Sequence, residues 1–316
     1  MHMNLDQLRG FMTVVRVGNF TRAAEELHLA QPSLSRQIHA LEQDLGAQLL
    51  TRDRGGSAPT AAGEALLPLA RRMLADADSV RRELDELAGL RRGRVRLGAT
   101  PTLCISLVAE VLSAFHAAHP GIELHLAEHG SRQLLDQLNA GELDLALITT
   151  SDATTAERFA VSPLLVEELV VISSAASPQL ASGRSVTLTE VARLPQIVFS
   201  STYDLRAATD AAFDAAGLTP SVVLEGAEMD AVLRFVERGL GVAIVPAMVL
   251  IDRPGLRSVR LREPKLTRTI NVARPADVEP SSAVGVMQRT IADTTFALAR
   301  RAGPTMRLAG DPHPAG

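Results

Sequence analysis

Apolar and polar positions alternate at helical spacing over the first sixty residues. Leu5, Leu8, Phe11, Met12 and Val15 follow an i, i+3, i+4, i+7 rhythm, which predicts one amphipathic helix. Gly18-Asn19 breaks it, and Thr21 is placed to cap a second helix whose inward residues are Ala23, Ala24 and Leu27. Residues 28–30 form a tight connection. Pro32 follows in the first turn of a third helix, where a missing N–H costs nothing. Leu34, Ile38, Leu41 and Leu45 are that helix's apolar stripe, and Gly46 ends it. After Leu49-Leu50, the polar, Gly-rich stretch 51–59 reads as a hairpin tip, with Thr60 as the next cap.

From Thr60 to about Arg91 the pattern predicts one long helix. Leu66, Ala70, Met73, Ala77, Val80, Leu84 and Leu87 step alternately by four and three, an a/d seam of about three heptads that predicts self-association. The plainer alternative is an amphipathic helix packed on its own domain. Pro68 should kink the helix or mark where its regular part begins. At Val95 the period changes. Strands at 95–99, 122–126 and 143–148 alternate with helices at 103–118 and 131–140, a βαβαβ run that implies a parallel sheet. Strands at 169–173, 196–199, 222–225 and 242–245 and helices at 204–216, 229–238 and 281–300 follow, enough chain for two α/β lobes. The Pro-, Gly- and Ala-rich tail from Ala302 is expected to be disordered.

Composition narrows the class. A chain of 316 residues holds two or three domains at roughly 100–200 residues each. Its one cysteine, Cys104, excludes a disulfide framework and a Cys-rich zinc site, and at the start of an apolar helix it reads as packing. His116, His119, His125 and His129 lack the carboxylate–histidine spacing of a metal site, so no metal and no cofactor are expected. No apolar run of about 18 residues and no signal-like start are seen, so the expected location is the cytoplasm, with no membrane partner. The net charge of -4 excludes a uniformly basic coat but not a local basic face.

Placement of charge does point to nucleic acid. Residues 1–60 hold six arginines and six acids, yet Leu27 to Leu41 contains no acid and carries His28, Arg36 and His39. Two helices joined by a three-residue turn, the second opening with Gln31-Pro32-Ser33-Leu34-Ser35-Arg36, is the helix-turn-helix layout. Gln31 offers an amide suited to adenine and Arg36 a fork suited to guanine or phosphate. Ser33 and Ser35 are short enough for close backbone approach, Thr21 suits a phosphate oxygen, and Arg52 and Arg54 add a basic tip. The alternative is a small helical packing domain with a solvated polar face.

These segments resemble the LysR-type transcriptional regulators over about residues 3–300. The residues that carry the resemblance are Leu8, Phe11, Val17-Gly18-Asn19-Phe20, Ala23-Ala24, Leu27, Gln31 to Ile38, Leu41-Glu42, Leu45-Gly46, Leu49-Leu50, Arg52 and Thr60-Ala61-Ala62-Gly63, in a gapless run. Ala30 departs from the Thr or Ser of many members, and Ala47-Gln48 from their more usual apolar pair. The resemblance implies a multidomain α plus α/β chain. Residues 3–60 would be a winged helix-turn-helix and 61–93 a linker and dimerisation helix. Residues 94–301 would be a two-lobed, periplasmic-binding-protein-like (type 2) effector domain, with lobe one at about 94–165 and 268–301 and lobe two at about 166–267. It implies dimers that pair into tetramers on promoter DNA in the nucleoid, and contact with RNA polymerase. The implied DNA-binding residues are Thr21, Arg22, Gln31, Pro32, Ser33, Ser35, Arg36, Arg52 and Arg54. Dimerisation would use Leu66, Met73, Val80, Leu84 and Leu87.

Two later motifs extend the match, Asn139-Ala140-Gly141-Glu142-Leu143-Asp144-Leu145-Ala146 and Arg238-Gly239-Leu240-Gly241-Val242-Ala243-Ile244-Val245-Pro246. Taken alone, Gly239-Leu240-Gly241 lacks the third glycine of a nucleotide loop and precedes a strand. By position, the family's effector cleft would draw on Thr100, Thr102, Ser131, Ser200, Ser201, Thr202 and Glu228. Hydroxyls and helix N-termini facing a cleft suit a small organic anion such as a carboxylate, although such residues also serve as caps and turns. The rival class is a solute-binding or catalytic α/β protein with an unrelated helical start. No nucleophile elbow, paired carboxylates or phosphate loop supports an enzyme.

Overall fold

The computed structural model describes residues 3–53, 56–87, 93–150, 159–177, 179–180, 185–201, 203–276 and 278–309. Contacts divide the chain into two units near residue 91.

The first unit opens with α1 (Leu5–Val17), where the Asn4 side chain accepts from the Gln7 amide at 2.9 Å and Gln7 Oε1 accepts from the Asn4 amide at 2.9 Å. Gly18, at φ 69°, ends the helix in the left-handed region that glycine enters without strain. The cap of α2 (Phe20–Glu26) is Asn19, not Thr21. Its Oδ1 accepts from the amides of Thr21 and Arg22 at 2.9 and 3.1 Å, which leaves Thr21 inside the first turn. α3 (Gln31–Leu45) starts after Ala30, whose side chain makes no capping bond, and stops at Gly46. β1 (Leu50–Asp53) and β2 (Gly56–Pro59) pair antiparallel as a wing. α4 (Ala61–Leu87) runs continuously through Pro68, so its regular part begins before the proline. Thr60 caps it, accepting from the Gly63 amide at 3.1 Å. The core joins Leu8, Phe11 and Val14 to Ala23, Leu34, Ile38 and Leu41. Ala70 is fully buried in it and Leu66 packs against it, so the first two positions of the expected self-association seam are taken up inside the unit. Met73 and Val80 remain 39% and 57% exposed, whereas the side chains of Leu84 and Leu87 lie outside the described residues.

The second unit runs β3 (Gly93–Ala99), α5 (Pro101–Leu103), a π-turn over Cys104–Val108, α6 (Ala109–Ala118), β4 (Ile122–Glu128), α7 (Ser131–Asn139) and β5 (Leu145–Thr150). It continues with β6 (Phe159–Ser174), β7 (Ser185–Thr187), α8 (Leu188–Ala192), β8 (Pro195–Phe199), α9 (Asp204–Ala215), β9 (Ser221–Ala227), α10 (Met229–Glu237) and β10 (Ala243–Pro246). β11 (Leu256–Arg262), β12 (Thr267–Pro275), α11 (Ser282–Ala302) and β13 (Met306–Leu308) complete it. β3 lies between β4 and β5 in parallel, as the βαβαβ pattern requires. The rest is mixed. β12 pairs antiparallel with both β5 and β6.

β6 is the strand that crosses between lobes. Its first half pairs with β12 and β13, and its second half with β10 and β11. Lobe two adds β7 beside β11 and the parallel pair β8–β9, joined to β10 by the Gln196–Val242 bridge. Gly241 lets those backbones meet, because a Cβ there would sit 2.5 Å from the Pro195 carbonyl oxygen. The tail expectation fails for its first part. Met306 to Leu308 pair with β6, and Met306 is buried because β6 offers a free edge there. Residues 310–316 lie outside the described residues. Pro101–Ala118, with mean hydropathy 1.5, does meet the length and composition of a membrane span, contrary to the sequence expectation. Its apolar residues Leu103, Leu107, Val108, Val111 and Phe115 are consumed by the core of this unit.

Candidate functional site

In the helix-turn-helix, burial separates two faces of α3. Leu34, Ile38 and Leu41 are at 0% exposure, while Gln31, Pro32 and Arg36 are exposed and Ser33 and Ser35 are half-buried. The turn is tight. The amide of Leu29 donates to the Ala24 carbonyl at 2.8 Å, and His28 adopts φ 54°. Thr21 and Arg22 are exposed on the first turn of α2. Among the described residues neither Arg22 nor Arg36 is ion-paired with a carboxylate, and Arg36 Nη2 lies 3.3 Å from Ser33 Oγ. Arg16 instead takes Glu26 as its partner. The bases on this face are therefore available to a polyanion.

Glu42, quoted in the family run but given no role from sequence, proves to fix the wing. Its Oε1 accepts from the amides of Leu49 and Leu50 at 2.9 and 3.3 Å, and the amide of Ser57 donates to the Gly18 carbonyl at 2.8 Å. Arg52 lies in β1 opposite Ser57. Arg54 and the side chain of Arg52 lie outside the described residues.

Most of the residues expected in the cleft follow the carboxyl ends of strands, where parallel α/β sheets bind ligands. Thr100 follows β3 and is 5% exposed. Its hydroxyl has no hydrogen-bond partner among the described residues. Ser131 begins α7 after β4. Ser200 and Ser201 follow β8, half-buried and exposed respectively, and Glu228 follows β9 as the residue before α10. Thr202 lies outside the described residues.

Thr102 is differently placed. It is buried, and its hydroxyl accepts from Arg268 Nη1 at 2.7 Å, so it belongs to an internal network rather than to an open wall. Arg268 also holds the fully buried Glu167, Nε to Oε1 at 2.8 Å, and Glu167 Oε2 accepts from the Met248 amide at 3.0 Å. Glu228 is engaged as well, accepting the Tyr203 hydroxyl, and the Tyr203 ring stacks on Phe199 at 5.4 Å. Burial, followed by the Glu228 carboxylate, pushes the Tyr203 phenol above its ordinary range.

Three groups beside the expected positions escaped the sequence reading: Tyr203, Asp204 and Glu128. Glu128 ends β4 beside Cys104. Burial, reinforced by the charge and hydrogen bond of Glu128, pushes the Cys104 thiol up to about 12. Asp204 could have been noticed as an acid in the first turn of a helix, though not where it reaches. The residues Arg96 and Asp144 show why the second-half motif is built as it is. The Asp144 carboxylate accepts from the Arg96 amide at 2.8 Å and from Arg96 Nη2 at 2.7 Å, tying β3 to the start of β5. A separate cavity of about 840 Å³ opens beside residues 105–110, 234–238 and 248–255 and includes none of the sequence-predicted residues.

Comparison with known proteins matches both units. The bacterial regulatory helix-turn-helix protein, lysR family, covers residues 5–64, and the LysR substrate binding domain covers 88–295. The HTH-type transcriptional regulator YybE of Bacillus subtilis is 32% identical over 86% of this chain and 92% of its own. A full-length OxyR variant from Pseudomonas aeruginosa is 24% identical with a TM-score of 0.71, covering 99% of this chain and 100% of that one. Full-length CbnR complexed with its target DNA is 23% identical with a TM-score of 0.65, covering 94% and 100%. These two likenesses bear on the fold alone. Together the helix-turn-helix with its wing, the two-lobed domain and both family matches establish that the chain belongs to the LysR family of transcriptional regulators, with a DNA-binding unit and an effector-binding unit.

Proposed function

We propose that α3 enters the DNA major groove with Gln31, Pro32, Ser33, Ser35 and Arg36 toward the bases, while Thr21, Arg22, Arg52 and Arg54 meet phosphates. The observation that carries this is the exposed, acid-free first turn of α3 backed by a fully buried Leu34–Ile38–Leu41 stripe. Two such helices in a dimer would reach successive grooves about 34 Å apart. The dimer forms through α4, and we assign the contact to Met73, Val80, Leu84 and Leu87, with Leu66 serving the winged unit. Pairing of dimers gives the tetramer, which binds promoter DNA in the nucleoid and acts on transcription through RNA polymerase.

Fluorescence anisotropy with DNA from upstream of its own gene tests the interface. Arg36→Ala should weaken specific binding by about 1–3 kcal/mol and relax sequence preference at one position. Arg22→Ala should weaken all sequences alike and flatten the salt dependence. Parent-like binding by both variants would place the DNA face elsewhere.

The effector site in this reading lies between the lobes, at Thr100, Ser131, Ser200, Ser201 and Thr202. Thr100 carries it, because a buried hydroxyl without a partner is unfavourable by about 1–3 kcal/mol until a ligand supplies one. A carboxylate on the effector suits these donors, and Glu228 holds Tyr203 at the cleft's other wall. Thermal-shift measurement against small carboxylates and aromatic acids should find a stabilising compound by mass action. Thr100→Val should lose that response while keeping DNA affinity. A normal response in Thr100→Val would move the site.

A further inference from the structure

The donors of Ser131 are already engaged, and by the other lobe. Asp204, the first residue of α9, accepts from Ser131 Oγ at 2.9 Å and from the Ser131 amide at 3.3 Å. Among the described residues no cation pairs with this carboxylate. It lies where the N-terminal ends of α7 and α9 converge, so both helix dipoles favour a negative charge at that point.

The hydroxyl of Ser131 has one proton and three oxygens in reach, the Thr149 hydroxyl at 3.4 Å being the longest contact. The Thr149 carbonyl oxygen lies 3.1 Å from it, within lobe one, and Asp204 lies 2.9 Å away in lobe two. The Thr149 amide donates to the same oxygen at 3.2 Å and holds it in place. Turning the proton from Asp204 to Thr149 therefore frees the contact between lobes without leaving the hydroxyl unbonded. A contact with such a fallback opens at low cost, and a carboxylate from outside can fill the place that Asp204 leaves.

From this we propose that Asp204 is an interlobe latch. It is an internal carboxylate that holds the cleft shut on Ser131 and is displaced by the carboxylate of an effector. The proposal rests on the reading of the cleft as the effector site and adds how that site is kept closed.

The test uses the full chain with Asp204→Ala, Ser131→Ala and the double variant, with sodium formate as the probe and sodium chloride at equal ionic strength as control. Amide hydrogen exchange at Ser131 and the next two residues should quicken about tenfold in Asp204→Ala, the loss expected for charge-assisted hydrogen bonds. Formate should slow it again and raise the melting temperature of Asp204→Ala, leaving the wild type and the double variant unmoved. Chemical rescue of this kind separates a latch from a merely structural side chain. Unchanged exchange in Asp204→Ala, or an equal formate response in wild type and variant, overturns the proposal. If a carboxylate stabilises the wild type in a Thr100-dependent way while Asp204→Ala shows neither effect, the latch fails and the cleft reading stands. If Asp204→Ala is rescued by formate and no compound engages Thr100, the latch stands and the reading of Thr100 fails.

Discussion

Replacing Arg268 by alanine should destabilise the effector unit by about 3–5 kcal/mol, the usual consequence of stripping one partner from a buried ion pair. Glu167 is at 0% exposure and the Arg268 side chain at 12%, so water screens neither. The guanidinium gives Glu167 Oε1 two nitrogens, at 2.8 and 2.7 Å, and gives Thr102 a third. In Arg268→Ala the carboxylate keeps only the Met248 amide, at 3.0 Å. The chain has no tryptophan and one tyrosine, Tyr203 in lobe two, so tyrosine fluorescence during urea unfolding reports this unit alone. Adding Glu167→Gln removes the stranded charge and keeps an acceptor for Met248, so the double variant should recover at least about 1 kcal/mol relative to Arg268→Ala. A loss below about 1 kcal/mol in Arg268→Ala, or additive losses in the double variant, would refute the reading of Thr102, Arg268 and Glu167 as one buried, coupled network.

Other outcomes follow from the same contacts. Burial opposes the charge on Glu168, but hydrogen bonds from Arg260 and Lys265 outweigh it and hold the carboxyl below its ordinary range. Its contribution is thus full above the ordinary glutamate value of about 4.3 and fades as pH falls through the lowered one. Glu168→Gln should flatten the acid side of the stability profile, and an unchanged acid limb would show the pairs are idle. Val80→Glu places a charge on an exposed position of the proposed α4 seam and should shift dimers toward monomers in analytical ultracentrifugation, whereas a persistent dimer would place the contact elsewhere. Alkylation of Cys104 at pH 8 should be on the order of a thousandfold slower in the folded chain than in urea, because at a pKa of about 12 so little thiolate is present. Comparable rates would mean the thiol is not held as described.

Local signals carried the helical unit. The stripe Leu34, Ile38, Leu41 and the stops at Gly18 and Gly46 depend on neighbours within four residues, which a linear reading contains. The first half of β6 does not. Pro163 and the twin acids Glu167-Glu168 read against a buried strand, yet Pro163 sits opposite Asn271 where the register slips, and the acids are neutralised by Arg268 and Arg260, 101 and 92 residues away. β11 carries a local signal of its own: Val259 and Leu261 are buried and alternate with the half-buried Arg260 and the exposed Arg262, a plain period of two.

The cleft divides the same way. The family resemblance, mapped onto the β–turn–helix junctions, is what names Thr100, Ser131, Ser201 and Glu228 as expected cleft positions. Which of their hydrogen-bonding groups is open could not be read that way, because each answer lies at long range: Thr102 is taken by Arg268, 166 residues on, Ser131 by Asp204, 73 residues on, and Glu228 by Tyr203, 25 residues back. Of these cleft positions, only Thr100 keeps a buried hydroxyl with no partner in the described residues. On the proposed reading, an effector that meets Thr100 would gain a hydrogen bond that its hydroxyl lacks among the described residues, whereas one that meets Ser131 would first have to break a bond between the lobes. The two residues have different consequences for the same ligand. In the proposed site Thr100 would add affinity, and Ser131 would convert part of that affinity into a change of shape, as a switch requires when a ligand shifts a population by its preference for one state.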